Sequence, residues 1–292
     1  MIKNSFYKFP KKVMLIEVGA RDGLQNENKI LTLTQKTKFV NMLTDCGFRK
    51  IEIGSFVSEN RVPQMKHTLE LSKHIYKNIH ANYITLVPKS KFLQKFLKSM
   101  ADEIAVFTTT SNEFSIKNTG MTISQSLEEI QQICRVARQN CIPVRGYIST
   151  IGECPYSGEQ KKEEVLLLVY KLLQMGCYQI SLGETLGKTC PNKMDQLLSY
   201  LSEHINPEIL AVHFHDTYGY AIENIKIALK YGISNIDCSI GGLGGCPYAK
   251  GSGGNVATEN VVELLDNMGI EHGISIEKLL ETKKYVFDIL EK

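Results

Sequence analysis

Short apolar runs rich in β-branched residues alternate along the chain with longer segments whose apolar positions recur at helical spacing. This alternation is typical of βα units that build a parallel sheet. The predicted strands are VMLIEV, KIEIGSF, ANYITLV, EIAVFTT, PVRGYIS, CYQISL, ILAVHF and NIDCSI. The clearest predicted helices are Thr34–Cys46, Pro63–Lys77, Ser124–Asn140, Glu159–Met175, Asn192–His204, Ala221–Lys230 and Thr258–Met268.

The number of repeated units distinguishes two α/β folds. Eight strands, each followed by a helix, predict a (β/α)8 barrel, or TIM barrel, over about residues 13–270. A doubly wound open sheet is the alternative, but the polar segment GARDGLQNE follows the first strand where that fold usually has a glycine-rich turn. We therefore expect a single barrel domain over 1–292, whose helical extension over 271–292 includes a helix at Ile276–Leu290.

Two histidines, His213 and His215, stand two residues apart at the end of the seventh predicted strand. Side chains at this spacing on a strand point to the same face, so both imidazoles would enter one interior. Such a pair is able to bind a divalent metal ion. The alternative is a pair of core histidines that bond to their neighbours.

Barrel enzymes build their sites at the carboxyl ends of the strands, and polar residues are concentrated there in this chain. Asp22 could add a carboxylate oxygen to the histidine pair, and Asn255 a carbonyl oxygen. Two imidazoles with oxygen donors suit Mg²⁺ or Mn²⁺, with Zn²⁺ or Co²⁺ as alternatives. Asp216 is expected to cap a helix or loop instead. The other polar residues at these strand ends are Arg21, Glu52, Thr108, Thr110, Tyr147, Ser149, Glu184 and Cys246.

Arg21 is a fixed positive charge beside the predicted metal site. If Glu17 and Arg21 lie on the same strand, four residues apart, their side chains point to the same face and Glu17 faces inward. Glu52 enters from the neighbouring strand. We expect these two carboxylates to orient Arg21, because buried carboxylates are costly unless they are paired. An arginine held in this way can stabilise an enolate oxygen, although a structural salt bridge is the alternative.

The segment GGLGGCPYAKGSGGN, residues 241–255, contains seven glycines and Cys246. A loop of this composition can close over a barrel mouth and carry a proton donor into the site. A thiol is able to act as that donor. The alternative is a flexible turn in which the cysteine has no role.

Composition excludes several classes of protein. The chain is 43% hydrophobic and 22% charged with a formal net charge of +3, which gives no reason to expect nucleic acid as a partner. Apolar runs such as VLLLVY are much shorter than the ~18 residues of a membrane span. The eight cysteines lack paired spacing and are predicted to be free thiols. Since the basic N-terminus has no signal-peptide apolar region, we expect a cytoplasmic protein.

Seven motifs together resemble the 3-hydroxy-3-methylglutaryl-CoA lyases. They read IEVGARDGLQNE, IEIGSFVSENRVPQM, VRGY, CPYSG, ISLGETLG, AVHFHDTYG and GGLGGCPYAKGSGGNVATE, in the family's order from Ile16 to Glu259. The resemblance implies a metal-dependent barrel that cleaves 3-hydroxy-3-methylglutaryl-CoA to acetyl-CoA and acetoacetate, in leucine breakdown or ketone-body formation. An acyl-CoA is the expected partner, and a homodimer the expected assembly.

The resemblance also implies roles for individual residues. Arg21 would stabilise the enolate, Cys246 would assist proton transfer, and Glu52 would support Arg21. Glu259 would support the metal and loop region. The expected metal ligands are Asp22, His213, His215 and Asn255. The expected substrate contacts are Arg21, Gln25, Lys29, Tyr147 and Ser149.

Two positions depart from the family's pattern. Glu184 stands where these lyases usually have aspartate, so the general base stays open between a metal-bound histidine, Asp22 and Glu184. Glu184 could instead orient His213 or a bound water. The family's lysine after LQNE is Asn28 here, and we expect Lys29 to replace it in holding CoA.

Three alternatives remain open at this point. The first is a Claisen condensing enzyme of the isopropylmalate or homocitrate synthase type, although those chains generally carry a long C-terminal region and lack the GGCPYA loop. The second is a lyase for a related hydroxyacyl-CoA. The third is a non-catalytic CoA-binding or metal-binding module, which the intact set of polar residues argues against.

Overall fold

The computed structural model describes residues 9–244 and 254–292. Its strands are β1 (Met14–Glu17), β2 (Lys50–Ser55), β3 (Asn82–Leu86), β4 (Glu103–Thr109), β5 (Val144–Ser149), β6 (Glu153–Cys154), β7 (Gly158–Glu159), β8 (Gln179–Glu184), β9 (Leu210–Phe214) and β10 (Asn235–Cys238). All but β6 and β7, which form a small antiparallel pair, close a parallel barrel in the order β1-β10-β9-β8-β5-β4-β3-β2. The predicted TIM barrel is therefore confirmed, and the open sheet is excluded.

Helices cover the outside of this barrel. They are α1 (Leu33–Asp45), α2 (Thr68–His74), α3 (Leu93–Leu97), α4 (Asn112–Thr119), α5 (Ile123–Gln139), α6 (Lys162–Met175), α7 (Pro191–Ser202), α8 (Ala221–Lys230), α9 (Thr258–Asn267) and α10 (Ile276–Leu290). The added helix α10 has the predicted bounds and packs on α1 and α9. Within residues 9–244 and 254–292, no helix combines the length and apolar character needed to cross a membrane.

The predicted helix over Pro63–Lys77 is wrong at both ends, because α2 spans only Thr68–His74 and Ile75 is extended. A separate 3-10 turn forms at Pro63–Met65, and His67 then takes a left-handed conformation with φ of 68° before α2 begins. The buried ammonium group of Lys36 accounts for the break, because it bonds to the carbonyl oxygens of Gln64 and Lys66. Those carbonyls point toward Lys36 and do not continue a helix.

Strand parity divides the core into two layers. Ile16, Val18 and Ile84 belong to a cluster that fills the barrel interior, whereas Leu15 and Ile51 belong to the larger core between the strands and the helices. Successive side chains of a strand point to opposite faces, so odd-numbered positions of β1 face the helices and even-numbered positions face inward. The side chain of each polar residue on a strand is assigned to a face by the same rule.

The seven cysteines within the described ranges are all free thiols, as predicted. Five of them are buried in the manner of small apolar residues, and Cys141 is exposed. Cys246, which was predicted to act in proton transfer, lies outside the described residues.

Candidate active site

A single π-helical turn, Gly19–Gly23, presents Arg21 and Asp22 at the carboxyl end of β1. The backbone N–H of Gly23 donates to Val18 O at 3.2 Å, which closes the turn. A Cβ on Gly23 would lie 2.8 Å from Ser239 Oγ, so this position needs glycine for the turn to pack on the end of β10. Because the turn interrupts the alternation of faces along β1, Arg21 points into the barrel mouth although Glu17, four residues earlier, points outward.

Three potential metal ligands meet at this mouth. Asp22, His213 and His215 each offer one ligand atom, and these atoms all lie within 4.8 Å of one another. Both histidines are nearly buried, and their ring centroids are 5.6 Å apart. Nδ1 of His215 is buried with no hydrogen-bond partner in the described part of the chain. An unpartnered imidazole nitrogen of this kind is what a metal ligand requires before the ion binds.

Asn255 lies beside this group, and its role as a fourth metal ligand stays a prediction. Its backbone pairs with that of His215, and its side-chain Nδ2 lies 2.7 Å from Asp22 Oδ2 and 3.1 Å from Leu243 O. Rotation of the amide by half a turn exchanges its nitrogen and oxygen, so the carbonyl oxygen can face the same place. Asp216, by contrast, accepts a hydrogen bond from Ala221 N at 3.0 Å and caps α8.

Arg21 lies between two carboxylates. Nη1 is 2.5 Å from Asp22 Oδ1, and Nη2 is 2.8 Å from Glu52 Oε2. The guanidinium also lies over the ring of Tyr147, 5.9 Å from its centroid. Glu52 enters from β2 and is fully buried, so the predicted support of Arg21 by Glu52 is present in the fold.

The charges of this group set its protonation. Burial raises the pKa of Asp22, but Arg21, His213 and His215 outweigh it and hold that pKa well below its usual range. Burial lowers the pKa of His215 to about 4, and the neighbouring His213 adds to the effect. His215 is therefore neutral at pH 7, which is the state in which imidazole binds a metal. Burial raises the pKa of Glu52 against the opposing effect of Arg21.

Glu17 departs from its expected place. It was expected to face inward and orient Arg21, but its odd-numbered position turns it toward the helices. Its Oε1 accepts from Gly19 N at 2.8 Å and Ile240 N at 3.0 Å, and its Oε2 accepts from the Thr258 hydroxyl at 2.7 Å. Glu17 thus joins β1 to the start of α9, and the idea that it orients Arg21 is corrected.

Comparison with known proteins places this arrangement in a family. The HMGL-like family model matches residues 12–286. The chain belongs to the HMGL-like family. It is 43% identical over 284 residues to the mitochondrial hydroxymethylglutaryl-CoA lyase of Bos taurus, covering 97% of this chain and 87% of the bovine protein.

Solved structures of HMG-CoA lyases have the same fold. The hydroxymethylglutaryl-CoA lyase of Pseudomonas aeruginosa matches with a TM-score of 0.95 and 41% identity over 97% of this chain and 95% of that one. An HMG-CoA lyase of Acinetobacter baumannii, solved with coenzyme A and 3-methylmalate, matches with a TM-score of 0.91 and 30% identity over 98% of this chain and 93% of that one. The resemblance read from the motifs is thereby confirmed.

Two charged residues beneath the site of this HMGL-like chain were not predicted from the sequence. Arg145 and Asp237 are fully buried inside the barrel and form a bidentate ion pair, with Nη2–Oδ1 at 2.6 Å and Nη1–Oδ2 at 3.1 Å. Burial raises the pKa of Asp237, but Arg145 outweighs it and the pKa falls to about 2. Their signal in the sequence was a charged residue at an interior position of PVRGYIS and of NIDCSI.

Glu184 is held by its own loop. Its Oε1 accepts from the Thr189 hydroxyl at 3.0 Å, and the backbone N–H groups of Gly187, Lys188 and Thr189 also hydrogen-bond to this carboxylate. Burial raises its pKa against these bonds. The carboxylate is thus directed toward residues 187–189, and it is not a member of the metal-binding group.

The predicted substrate contacts lie at different distances from this group. Tyr147 is buried beside it, with its ring edge-on to His213 at 5.8 Å, while Ser149 is half-buried at the end of β5. Gln25 is half-buried two residues after the π-helical turn. Lys29 is partly exposed and pairs with Glu291 at 2.5 Å, so this ammonium group lies at the end of α10.

Glu259 lies in the first turn of α9. Its two oxygens accept from Gly241 N at 3.1 and 3.0 Å, and Lys283 of α10 lies 3.4 Å from Oε1. Glu259 therefore holds the turn at Gly241. Its expected support of the metal site stays a prediction.

Proposed function

We propose that this chain is a metal-dependent carbon–carbon lyase that cleaves 3-hydroxy-3-methylglutaryl-CoA to acetyl-CoA and acetoacetate by retro-Claisen chemistry. One observation carries the proposal: Asp22, His213 and His215 converge beside a buried, carboxylate-held Arg21 at the mouth of an HMGL-like barrel. The relatives of about 40% identity are named as lyases of this thioester. The alternative of a condensing enzyme has no comparable support.

The residues present fit a divalent cation. We propose that Asp22, His213, His215 and Asn255 would hold Mg²⁺ or Mn²⁺, since two imidazoles combined with oxygen donors suit these ions. The cluster geometry and the unpartnered Nδ1 of His215 support this proposal. When bound, the ion would acidify the substrate's tertiary hydroxyl group and fix its geometry.

The reaction has three steps: deprotonation of the substrate, cleavage of a C–C bond and protonation of the product. The tertiary hydroxyl loses its proton, its carbon becomes the ketone of acetoacetate, and the adjacent C–C bond breaks. The electron pair of that bond passes to the thioester fragment as an enolate, and a donor protonates the enolate carbon to give acetyl-CoA. Arg21, fixed by Glu52 at 2.8 Å, can present N–H groups to the enolate oxygen.

The reaction needs a proton donor and a base. We propose Cys246 as the donor to the enolate carbon, on the basis of its motif. For the base, Asp22 and His213 belong to the proposed metal site, whereas the bonds to Glu184 come from its own loop. We therefore propose that Glu184 shapes that loop and that one of the other two groups takes the first proton.

An acyl-CoA is the proposed small-molecule partner. The related A. baumannii lyase was solved with coenzyme A, which supports this choice. Tyr147 contacts His213 of the metal-binding group, and we propose that it, Ser149 and Gln25 contact the substrate. To bind a CoA phosphate, Lys29 would have to break its ion pair with Glu291. A homodimer, a cytoplasmic location and a role in leucine breakdown or ketone-body formation complete the proposal.

The activity is tested by incubating EDTA-treated protein with 3-hydroxy-3-methylglutaryl-CoA and measuring acetoacetate with and without Mg²⁺ or Mn²⁺. We expect product only after metal is added. His213→Ala should abolish it, and the exposed His204→Ala, a matched histidine control, should retain it. No acetoacetate from the wild type with either metal would contradict the proposal.

The role of Glu184 is tested in the same assay with Glu184→Gln. Since the amide oxygen can still accept from Thr189, we expect less than a tenfold loss of kcat if Glu184 shapes its loop. A loss of ~10²-fold or more, typical of a missing general base, would return Glu184 to the catalytic step.

A further inference from the structure

The ring of His213 has a second neighbour on the side away from Asp22. Its Nε2 lies 3.8 Å from Asp22 Oδ2, whereas its Nδ1 lies 3.4 Å from Oδ2 of the buried Asp237. The latter distance is longer than a usual hydrogen bond. Nδ1 makes no hydrogen bond to any other described residue, so Asp237 is the acceptor available to an Nδ1–H group.

The fold places Asp237 there through strand register. Asp237 on β10 and His213 on β9 are register partners in a parallel pair, and both point into the barrel. Side chains that are lateral neighbours on one face of a sheet lie at contact distance. The position of Asp237 beneath His213 is therefore fixed by the barrel itself.

Asp237 is in turn held by three donated hydrogen bonds. Arg145 contributes two of them, at 2.6 and 3.1 Å, and the Ser181 hydroxyl donates the third to Oδ2 at 2.7 Å. Arg145 also donates to Gln179 Oε1 at 2.8 Å and to the Tyr147 hydroxyl at 2.6 Å. A buried charge pair that makes this many bonds has one orientation only.

These contacts close a ring around the metal-binding group. The Tyr147 hydroxyl lies 3.3 Å from Glu52 Oε2, and Glu52 pairs with Arg21, which pairs with Asp22. The Tyr147 hydroxyl thus joins the Arg21–Glu52 pair to the Arg145–Asp237 pair.

We propose that Asp237, held by Arg145 and Ser181, is a positioning residue that keeps His213 in the Nδ1–H tautomer, with Nε2 turned toward the metal. The inference rests on the metal site proposed above. A carboxylate that accepts from the far nitrogen of a metal-binding histidine fixes the ring and makes it a better ligand. Removing such a carboxylate typically weakens metal binding 10- to 100-fold.

The first test measures Mn²⁺ affinity by electron paramagnetic resonance. Asp237→Asn should raise the Mn²⁺ Kd by about 10- to 100-fold. Glu103→Gln is the matched control, because it neutralises another buried carboxylate of the barrel interior, which pairs with Lys50 at 3.3 Å. It should leave the Kd within about twofold. Equal Kd values for Asp237→Asn and the wild type, or equal weakening in both variants, would overturn the proposal.

The second test reads the tautomer directly by ¹⁵N NMR of the metal-free wild type, with the His213 signals assigned from a His213→Gln spectrum. We expect protonated Nδ1 and unprotonated Nε2, and the reverse result would overturn the proposal. If Asp237→Asn does not fold, Ser181→Ala takes its place, since it removes one bond to Asp237 and no charge. It should weaken Mn²⁺ binding several-fold, and wild-type affinity would count against the proposal.

The two proposals fail in different ways. If the wild type binds no Mn²⁺, the metal site and this inference both fall. If the wild type binds Mn²⁺ and Asp237→Asn binds it equally well, only the positioning role of Asp237 falls. A merely structural role for Asp237 would change stability in both carboxylate variants without changing the tautomer.

Discussion

At the scale of single residues, Glu17 has an unusual environment. It is fully buried, and desolvation raises its pKa to about 8 although Ile240, Thr258 and Gly19 all contribute bonds that lower it. In the protonated form, Oε1 can still accept both backbone N–H groups, and the Thr258 hydroxyl, which donates to Oε2 in the structure, can rotate to accept from it instead. The neutral acid therefore keeps all three contacts and avoids burying a charge.

This environment predicts a pH-dependent stability. Between the ordinary pKa of 4.5 and the raised value of about 8, the folded chain holds a proton at Glu17 that the unfolded chain has lost. The free energy of unfolding should therefore fall as pH rises through this window. In Glu17→Gln, whose amide can make the same bonds, that fall should be absent, as measured by urea denaturation from pH 5 to 9.

The control for this prediction is Glu277→Gln, which changes an exposed carboxylate in the first turn of α10. It should keep the wild-type dependence on pH. An unchanged pH dependence in Glu17→Gln would show that the carboxyl group of Glu17 does not cause it.

At the scale of elements, α10 supports the segment that leads away from β10. The left-handed Gly241, with φ of 62°, lies so close to Phe287 of α10 that a Cβ would be 2.6 Å from its ring. Lys283 of the same helix pairs with Glu259, which binds Gly241 N. The helix outside the βα repeat is thus part of the structure that holds this turn.

Two neighbouring leucines of α10 test how much this packing contributes. Leu279 is fully buried, whereas Leu280 is 52% exposed. We expect Leu279→Ala to lower the free energy of unfolding by about 2–5 kcal/mol, because it leaves a cavity in the core. Leu280→Ala should change it by less than about 0.5 kcal/mol. If thermal or urea denaturation shows equal effects of the two substitutions, the buried face of α10 does not stabilise the fold as proposed.

At the scale of the whole molecule, the proposed metal site joins distant parts of the chain. Asp22 follows β1, His213 lies in β9 and His215 directly after it, and Asn255 precedes α9. An ion held by all of them would bind the folded chain and not the unfolded one. Its binding therefore adds to global stability.

We expect Mn²⁺ at about 100 times its Kd to add about 2.7 kcal/mol to the free energy of unfolding. His213→Ala should lose this gain together with activity. Cys246→Ala should keep the gain and lose most turnover, whereas the exposed Cys141→Ala should keep both. Thermal denaturation and the acetoacetate assay measure the two effects, and full activity in Cys246→Ala would contradict the proposed proton transfer.

The sequence by itself determined the barrel, the helix α10 and the convergence of Asp22, His213, His215 and Asn255. It could do so because strand and helix periodicity are local, and because a barrel brings the carboxyl ends of its strands to one mouth.

Only the tertiary structure decided which face Glu17 occupies and what lies beneath His213. The π-helical turn reverses the parity between Glu17 and Arg21, so their spacing misled the prediction. The contact of Arg145 with Asp237 joins residues 92 positions apart. It depends on the register of β5, β8, β9 and β10, which no local pattern specifies.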